Sequence, residues 1–213
     1  MIEIKHKETG QVVFRLDAPS FVDARLHGVD LRAADLRGMD FRGATFKSCN
    51  LSDADCRQAN FTNAQFPNSL LKRANLTDAQ FEDADLSDVC LDACDMFGAN
   101  AKRAVFRHAK LNNANLSNSD LSDTDCSFAE MRGNFTNVNF ENANLYGVDL
   151  SGADLTQACF LNANMTGAKI LGANFSYAKL HGSIGTNGKP WGVNPSRKSP
   201  TKKSWWQVWR AAI

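Results

Sequence analysis

A large apolar residue recurs at every fifth position from Phe21 to Met131, with Cys56, Ala101 and Cys126 as smaller substitutes. The count drops one residue in the stretch MRGNF, where Phe135 follows Met131 after four, and then runs on in fives to Leu180. Two positions before each of these stands a small residue, as at Ala34, Ala44, Ala54, Ala59 and Ala178, and the residue between is usually Asp or Asn. A period of five matches neither the 3.6-residue helix nor the two-residue alternation of a strand. It fits a backbone that turns a corner every five residues and sends one large and one small side chain inward each time. Such a repeat fixes the architecture before any other residue is weighed.

A second period lies inside the first. Residues twenty apart form a column of Phe21, Phe41, Phe61, Phe81, Ala101 and Leu121, and another of Leu31, Leu51, Leu71, Leu91, Leu111 and Met131. Phenylalanine separates from leucine, as it should if rings stack on rings from one coil to the next. Four pentads per coil give that spacing. If Phe135 takes the next side despite the missing residue, Phe140 and Phe160 rejoin the phenylalanine column and Leu150 and Ile170 the leucine column. The slip, placed at 132–134, then shortens one corner, and Gly133 is expected to take a tight or left-handed conformation there.

The unit, plain in GADLTQACFLNANMTGAKILGANF, resembles the A(D/N)LXX motif of the pentapeptide-repeat family over residues 19 to about 183. The resemblance implies an all-β fold, a right-handed quadrilateral parallel β-helix; thirty-three pentads would give about eight coils and a rod about 40 Å long at the spacing of paired strands. The sequence divides accordingly. Residues 1–18 read as an N-terminal β-hairpin cap, with Ile2, Ile4, Val12, Phe14 and Leu16 alternating around KETG. Residues 19–183 are the repeat, 184–203 a basic Gly/Pro/Ser/Lys linker, and 204–213 a tryptophan-bearing segment. There, Ser204 can cap a short helix placing Trp205, Val208, Trp209 and Ala212 on one face.

Nothing in the pattern assembles a reactive constellation. The six cysteines fill repeat positions: Cys56 and Cys126 the large inward one, Cys49 and Cys94 the small one, Cys90 and Cys159 the Asp/Asn position. They read as packing residues, and their spacings do not suit disulfides between adjacent coils. Four scattered histidines offer no ligand or triad spacing, and the Asp/Asn residues before each central position read as corner bonding. No catalytic residue, metal or cofactor is expected. The start of the sequence lacks an apolar signal core and no run is long enough to span a membrane, so the expected location is the cytoplasm.

Net charge is +1, which disfavours wholesale nucleic-acid binding, but the charge is segregated: −6 over 48–100, +4 over 101–110, −4 over 111–180 and +6 over 181–213. The candidate interaction surface is therefore Asp53, Asp78, Glu82, Asp83, Asp85, Asp88 and Asp92, interrupted by Lys102, Arg103 and Arg107. The expected role is a rigid, non-catalytic surface for an unidentified protein partner. Local acid density approaches the one charge per about 1.7 Å of duplex DNA, and the family resemblance adds an alternative: a DNA mimic that inhibits or protects DNA gyrase, a type II topoisomerase. The acids wrap several sides rather than forming a stripe, which weighs against it. In the tail, Trp205, Trp206 and Trp209 with Lys202, Lys203 and Arg210 read as a cover over the last coil, a homodimer contact or a membrane-surface contact.

Overall fold

The computed structural model describes residues 1–191. The helix expected at 204–213, and most of the linker, lie outside the described residues. The described residues contain five short strands: β1 (Ile2–His6), β2 (Val12–Leu16), β3 (Arg25–His27), β4 (Ala34–Asp35) and β5 (Thr45–Lys47). β1 and β2 pair antiparallel, Ile2 opposite Leu16 and Ile4 opposite Phe14, and β1 then lies against β4 through Lys5–Asp35 and His6–Ala34. The hairpin is thus hydrogen-bonded to the first turn of the repeat, and its Ile4 is fully buried in the common core. β3 pairs with β5 in parallel, Arg25 opposite Thr45.

From Asp30 onward the chain forms parallel bridges between residues twenty apart, in four ladders. One runs Asp35, Asp55, Asn75, Asp95, Asn115, Asn134, Asp154, Asn174; the others start at Asp30, Asp40 and Thr45. Each pentad repeats one bonding scheme. Asn60 donates back to Met39 O at 2.9 Å, Phe61 donates forward to Gln80 O at 2.7 Å, and Asn63 donates forward to Glu82 O at 2.9 Å. Ala64 closes the corner by donating to Phe61 O at 2.9 Å. The corner residue must be left-handed, as at Asn63 (φ 59°) and Asn118 (φ 61°), and Asn, Asp and Gly supply most such positions because they tolerate that region.

The inward residues form one continuous core, and every central residue from Leu26 to Met165 is at most 1% exposed. Phe61 lies between Phe41 and Phe81 at centroid distances of 5.3 and 5.0 Å, nearly parallel to both, and meets Phe46 and Phe66 edge-on. Phe140 stacks on Phe160 at 5.2 Å, so the phenylalanine column resumes beyond the slip. Ala101, the gap in that column, is fully buried.

At the slip the ladder spacing falls to nineteen, in Asn115–Asn134, Asp120–Asn139, Asp125–Asn144 and Glu130–Asp149, and returns to twenty at Asn134–Asp154. The missing residue is the left-handed corner itself. Gly133 is therefore not a corner glycine and its φ is not positive, contrary to the sequence expectation. It stands two before Phe135, in the small inward position, where the shortened chain is drawn against the coil below. A Cβ there would lie 2.3 Å from Ala114 O and 3.0 Å from Ala114 N. Space, not handedness, requires glycine. Gly133→Ala should lower unfolding free energy by about 2 kcal/mol, as overpacking does, in chemical denaturation; an unchanged midpoint would show that the two coils can separate freely there.

Candidate interaction surface

The first coils carry acids that are neutralised within their own pentads. Asp30, Asp35, Asp40 and Asp55 each hold the arginine two residues on, Arg32, Arg37, Arg42 and Arg57, at 2.6–2.7 Å. Hydrogen bonding to those guanidinium groups holds all four carboxyls below the usual range. The same carboxylates accept the arginine backbone N–H, at 3.1–3.4 Å, so corner bonding and charge pairing use one side chain. Asn75, Asp95 and Asn115 accept the same backbone bond from Thr77, Phe97 and Ser117.

The acids singled out in the sequence divide into two groups. Asp53 is paired across the coil with Arg73 by two bonds of 2.7 Å, and Arg103 spans Glu82 at 2.6 Å and Asp83 at 2.8 Å. Among the described residues no cation lies within ion-pair distance of Asp78, Asp85, Asp88 or Asp92. Asp85 accepts the Ser87 N–H, and Asp92 accepts the Asn112 N–H and the Cys90 thiol. Asp85 and Asp88 line a shallow depression with Gln65, Pro67, Asn68 and Ser87. Only Asp85 lies in a ladder; Asp78 and Asp88 are corner residues and Asp92 follows Leu91, so the four, spread over pentads centred on Leu76, Leu86 and Leu91, form no single stripe. Lys102 lies 3.9 Å from Asp123, and Arg107 bonds Asp125 at 2.5 Å. Trp205, Trp206, Trp209, Lys202, Lys203 and Arg210 lie outside the described residues.

The sequence reading missed an aromatic cluster at the corners of the Thr45 ladder. Phe128 stands twenty residues after His108, and their rings stack at 5.3 Å and 5°. Tyr146 meets Phe128 edge-on at 5.3 Å. Phe128 is 51% exposed and Tyr146 44%. Phe128 also occupies a left-handed corner (φ 60°), which costs a non-glycine residue about 1–2 kcal/mol. Its ring lies over Gly147, where a Cβ would come within 2.8 Å of it, so the next coil has no side chain to displace the ring. The signal was present: most corners carry Asn, Asp or Gly, and this one carries an aromatic.

All six cysteines are free. Burial pushes the Cys56 and Cys94 thiols far up and the Cys126 thiol to about 12. No group of three His, Cys, Asp or Glu among the described residues is placed to hold a metal ion, and none of their helices is long and apolar enough to cross a membrane.

The pentapeptide-repeat family model matches residues 20–55, 49–88, 99–133, 134–170 and 149–184, in eight copies. The chain belongs to the pentapeptide-repeat family. Its fold is that family's β-helix solenoid. Similar solved structures include HetL, a pentapeptide repeat protein involved in heterocyst differentiation regulation from the cyanobacterium Nostoc sp. strain PCC 7120, at 27% identity, 79% coverage of this chain, 88% of HetL and a TM-score of 0.48. Full-length QnrB1, a plasmid-mediated fluoroquinolone resistance protein, is 21% identical over 73% of this chain and 91% of its own, with a TM-score of 0.42. A pentapeptide repeat protein of the Arabidopsis thaliana thylakoid lumen is 25% identical over 57% of this chain and 72% of its own, with a TM-score of 0.31. Comparison with curated proteins finds no match.

Two measurements check the chemistry of this pentapeptide-repeat surface. In the native protein a thiol reagent such as DTNB should reach Cys90 and Cys159 at most, and all six thiols after denaturation; native labelling of Cys56 or Cys94 would contradict their burial. Asp149 gives a pH signature. Burial raises its carboxyl, but bonds from Arg132 at 2.6 Å and from Ser151 outweigh it and hold the group at about 2. That is below the unfolded value of about 3.9, so the stabilisation is complete above about pH 4 and is lost as pH falls toward 2. Asp149→Asn should flatten the fall in Tm across that window.

Proposed function

We propose that this chain is a non-catalytic, rigid interaction surface for another protein, carried on a right-handed, four-sided β-helix of about eight coils. The observation that carries the reading is Phe128. It is an exposed aromatic in a strained corner, stacked between His108 and a glycine and beside Tyr146, with Arg107 preceding His108 in the chain. Strain retained at an exposed aromatic argues for use, since the fold needs only Asn, Asp or Gly at that corner. Aromatic and arginine side chains dominate the energetics of protein contacts, and burying a phenylalanine is worth about 1.5–3 kcal/mol. The ordered coils hold the cluster in place before a partner arrives, so little entropy is lost on binding.

The second reading is DNA mimicry directed at a type II topoisomerase such as DNA gyrase. It is favoured by Asp78, Asp85, Asp88 and Asp92, acids without a cation partner among the described residues. The pairing of Asp53, Glu82 and Asp83 with arginines works against it.

One pair of assays separates the readings. Partners cross-linked to the wild-type protein in cells should be lost from the Phe128→Ser, Tyr146→Ser double variant, with its Tm unchanged or raised; identical partners from both would sink the aromatic surface. Inhibition of gyrase supercoiling at low micromolar protein, abolished by added salt and by Asp85→Asn with Asp88→Asn, would instead establish the mimic.

A further inference from the structure

The corner residues of the Thr45 ladder follow one another in line along the repeat. Asp88 donates its N–H to Arg107 O at 2.8 Å, His108 to Ser127 O at 3.1 Å and Phe128 to Tyr146 O at 2.9 Å. Each bond ties a corner to the residue just before the next corner, so Asp88, His108, Phe128 and Gly147 succeed one another coil by coil. The first three are left-handed, at φ 59°, 55° and 60°. Their side chains therefore leave the surface along a common edge.

That edge changes character along its length. At one end Asp85 and Asp88 are exposed and border the shallow depression floored by Pro67 and Ser87. At the other, Phe128 and Tyr146 are exposed aromatics. Between them the His108 ring lies flat on Phe128, and the ladder carries a half-buried Val105, bridged to Asp85 on one side and Asp125 on the other.

Charge is unbalanced at one end only. The pentads that contain Gln65, Asp85, Val105, Asp125, Asn144 and Asn164 hold four Asp, Glu, Lys or Arg residues: Asp85, Asp88, Arg107 and Asp125. Arg107 and Asp125 bond each other at 2.5 Å and cancel. The charge left on the edge is that of Asp85 and Asp88, which have no cation partner among the described residues.

Given the aromatic surface proposed above, on which this rests, we propose that the edge binds an extended segment of another protein carrying an arginine or lysine and, three residues away, an aliphatic or aromatic side chain. The cation meets Asp85 and Asp88, and the apolar side chain packs on Phe128 and Tyr146. Asp88 and Phe128 are two coils apart, roughly 9.6 Å at the spacing of paired strands. Three residues of polyproline-type chain advance about 9.3 Å and return to the same face. The edge is open and shallow, which suits a chain laid along it, whereas a small molecule needs a more enclosing cleft. Val105 fits the same occupant: an Asp there, as in the coils on either side, would set a charge against the uncharged middle of the segment. The acids select the segment and its direction, while burial on the aromatics supplies most of the affinity.

Selection of phage-displayed random dodecapeptides on the full chain tests this, followed by fluorescence anisotropy with the enriched peptides made synthetically. Those peptides should carry Arg or Lys three residues from an aliphatic or aromatic residue. They should bind an Asp85→Asn, Asp88→Asn variant about fivefold more weakly than wild type, and a Phe128→Ser, Tyr146→Ser variant more than about tenfold more weakly. Asn68 and Ser48 already occupy this corner in earlier coils, so both variants keep residues that the repeat accepts there. Asp95→Asn, which neutralises an acid on a different ladder, should bind as wild type does. Enriched peptides that need Phe128 but lack the cation, or that bind the Asp85→Asn, Asp88→Asn variant as tightly as wild type, would overturn the basic partner and leave the aromatic surface standing. Enrichment no greater on wild type than on the Phe128→Ser, Tyr146→Ser variant would remove both.

Discussion

Each coil is tied to the next by backbone hydrogen bonds that pair residues twenty positions apart, or nineteen at the slip, into parallel ladders, and every other feature of the structure answers to that register. The bonds recur at the residue before the centre, at the centre and at the corner, as at Asn60, Phe61 and Asn63. Each contributes on the order of 1 kcal/mol, and a coil touches only its neighbours, so stability accumulates coil by coil. The register is also what stacks Phe41, Phe61 and Phe81 with near-parallel rings, and what aligns the Asp35–Asn174 ladder on the outside. A left-handed corner every fifth residue makes the path possible. That requirement accounts for the abundance of Asn, Asp and Gly at those positions.

Much of this was legible in the sequence because a period is a statement about neighbours. The columns, the inward cysteines, the corner-bonding acids and the resumption of Phe140 and Phe160 beyond the slip all follow from counting. What counting cannot give is which of two equally spaced partners a side chain takes. Arg32 bonds the acid two residues back, in its own pentad, whereas Arg73 bonds Asp53 twenty residues back. Both arrangements obey the repeat, and local geometry decides between them. Gly133 was misread for a related reason: its spacing marks it as the anomaly but does not say which of the five positions went missing. Phe128 and Tyr146 were overlooked because attention to charge passed over an apolar residue at an outward position.

The surface that results is more neutral than its composition suggests. Ion pairs within the repeat cancel part of the acid in the coils up to Arg103, leaving Asp23, Asp78, Asp85, Asp88, Asp92 and Asp95, among the described residues, as scattered negative points. Against that background the apolar exposure at His108, Phe128 and Tyr146 is the more distinctive feature, and it lies in the same stretch of coils as Arg107. Recognition by such a surface depends on shape and burial more than on field strength, and it should be correspondingly insensitive to ionic strength.

The slip at 132–134 bears on how such an array can change length. A pentad has three residues that the neighbouring coil or the core cannot spare: the small inward one, the bridging one and the central one. The remaining two carry the chain around the outside and contribute one bond between coils, from the corner N–H to the carbonyl after the next coil's centre. MRGNF dispenses with one of those two, and the ladders on either side continue with the same faces aligned. A deletion is thus accommodated at the corner, at the cost of one bond between coils and of a glycine where the backbones then crowd together. Variation in the length of a rod of this kind need not come in whole coils.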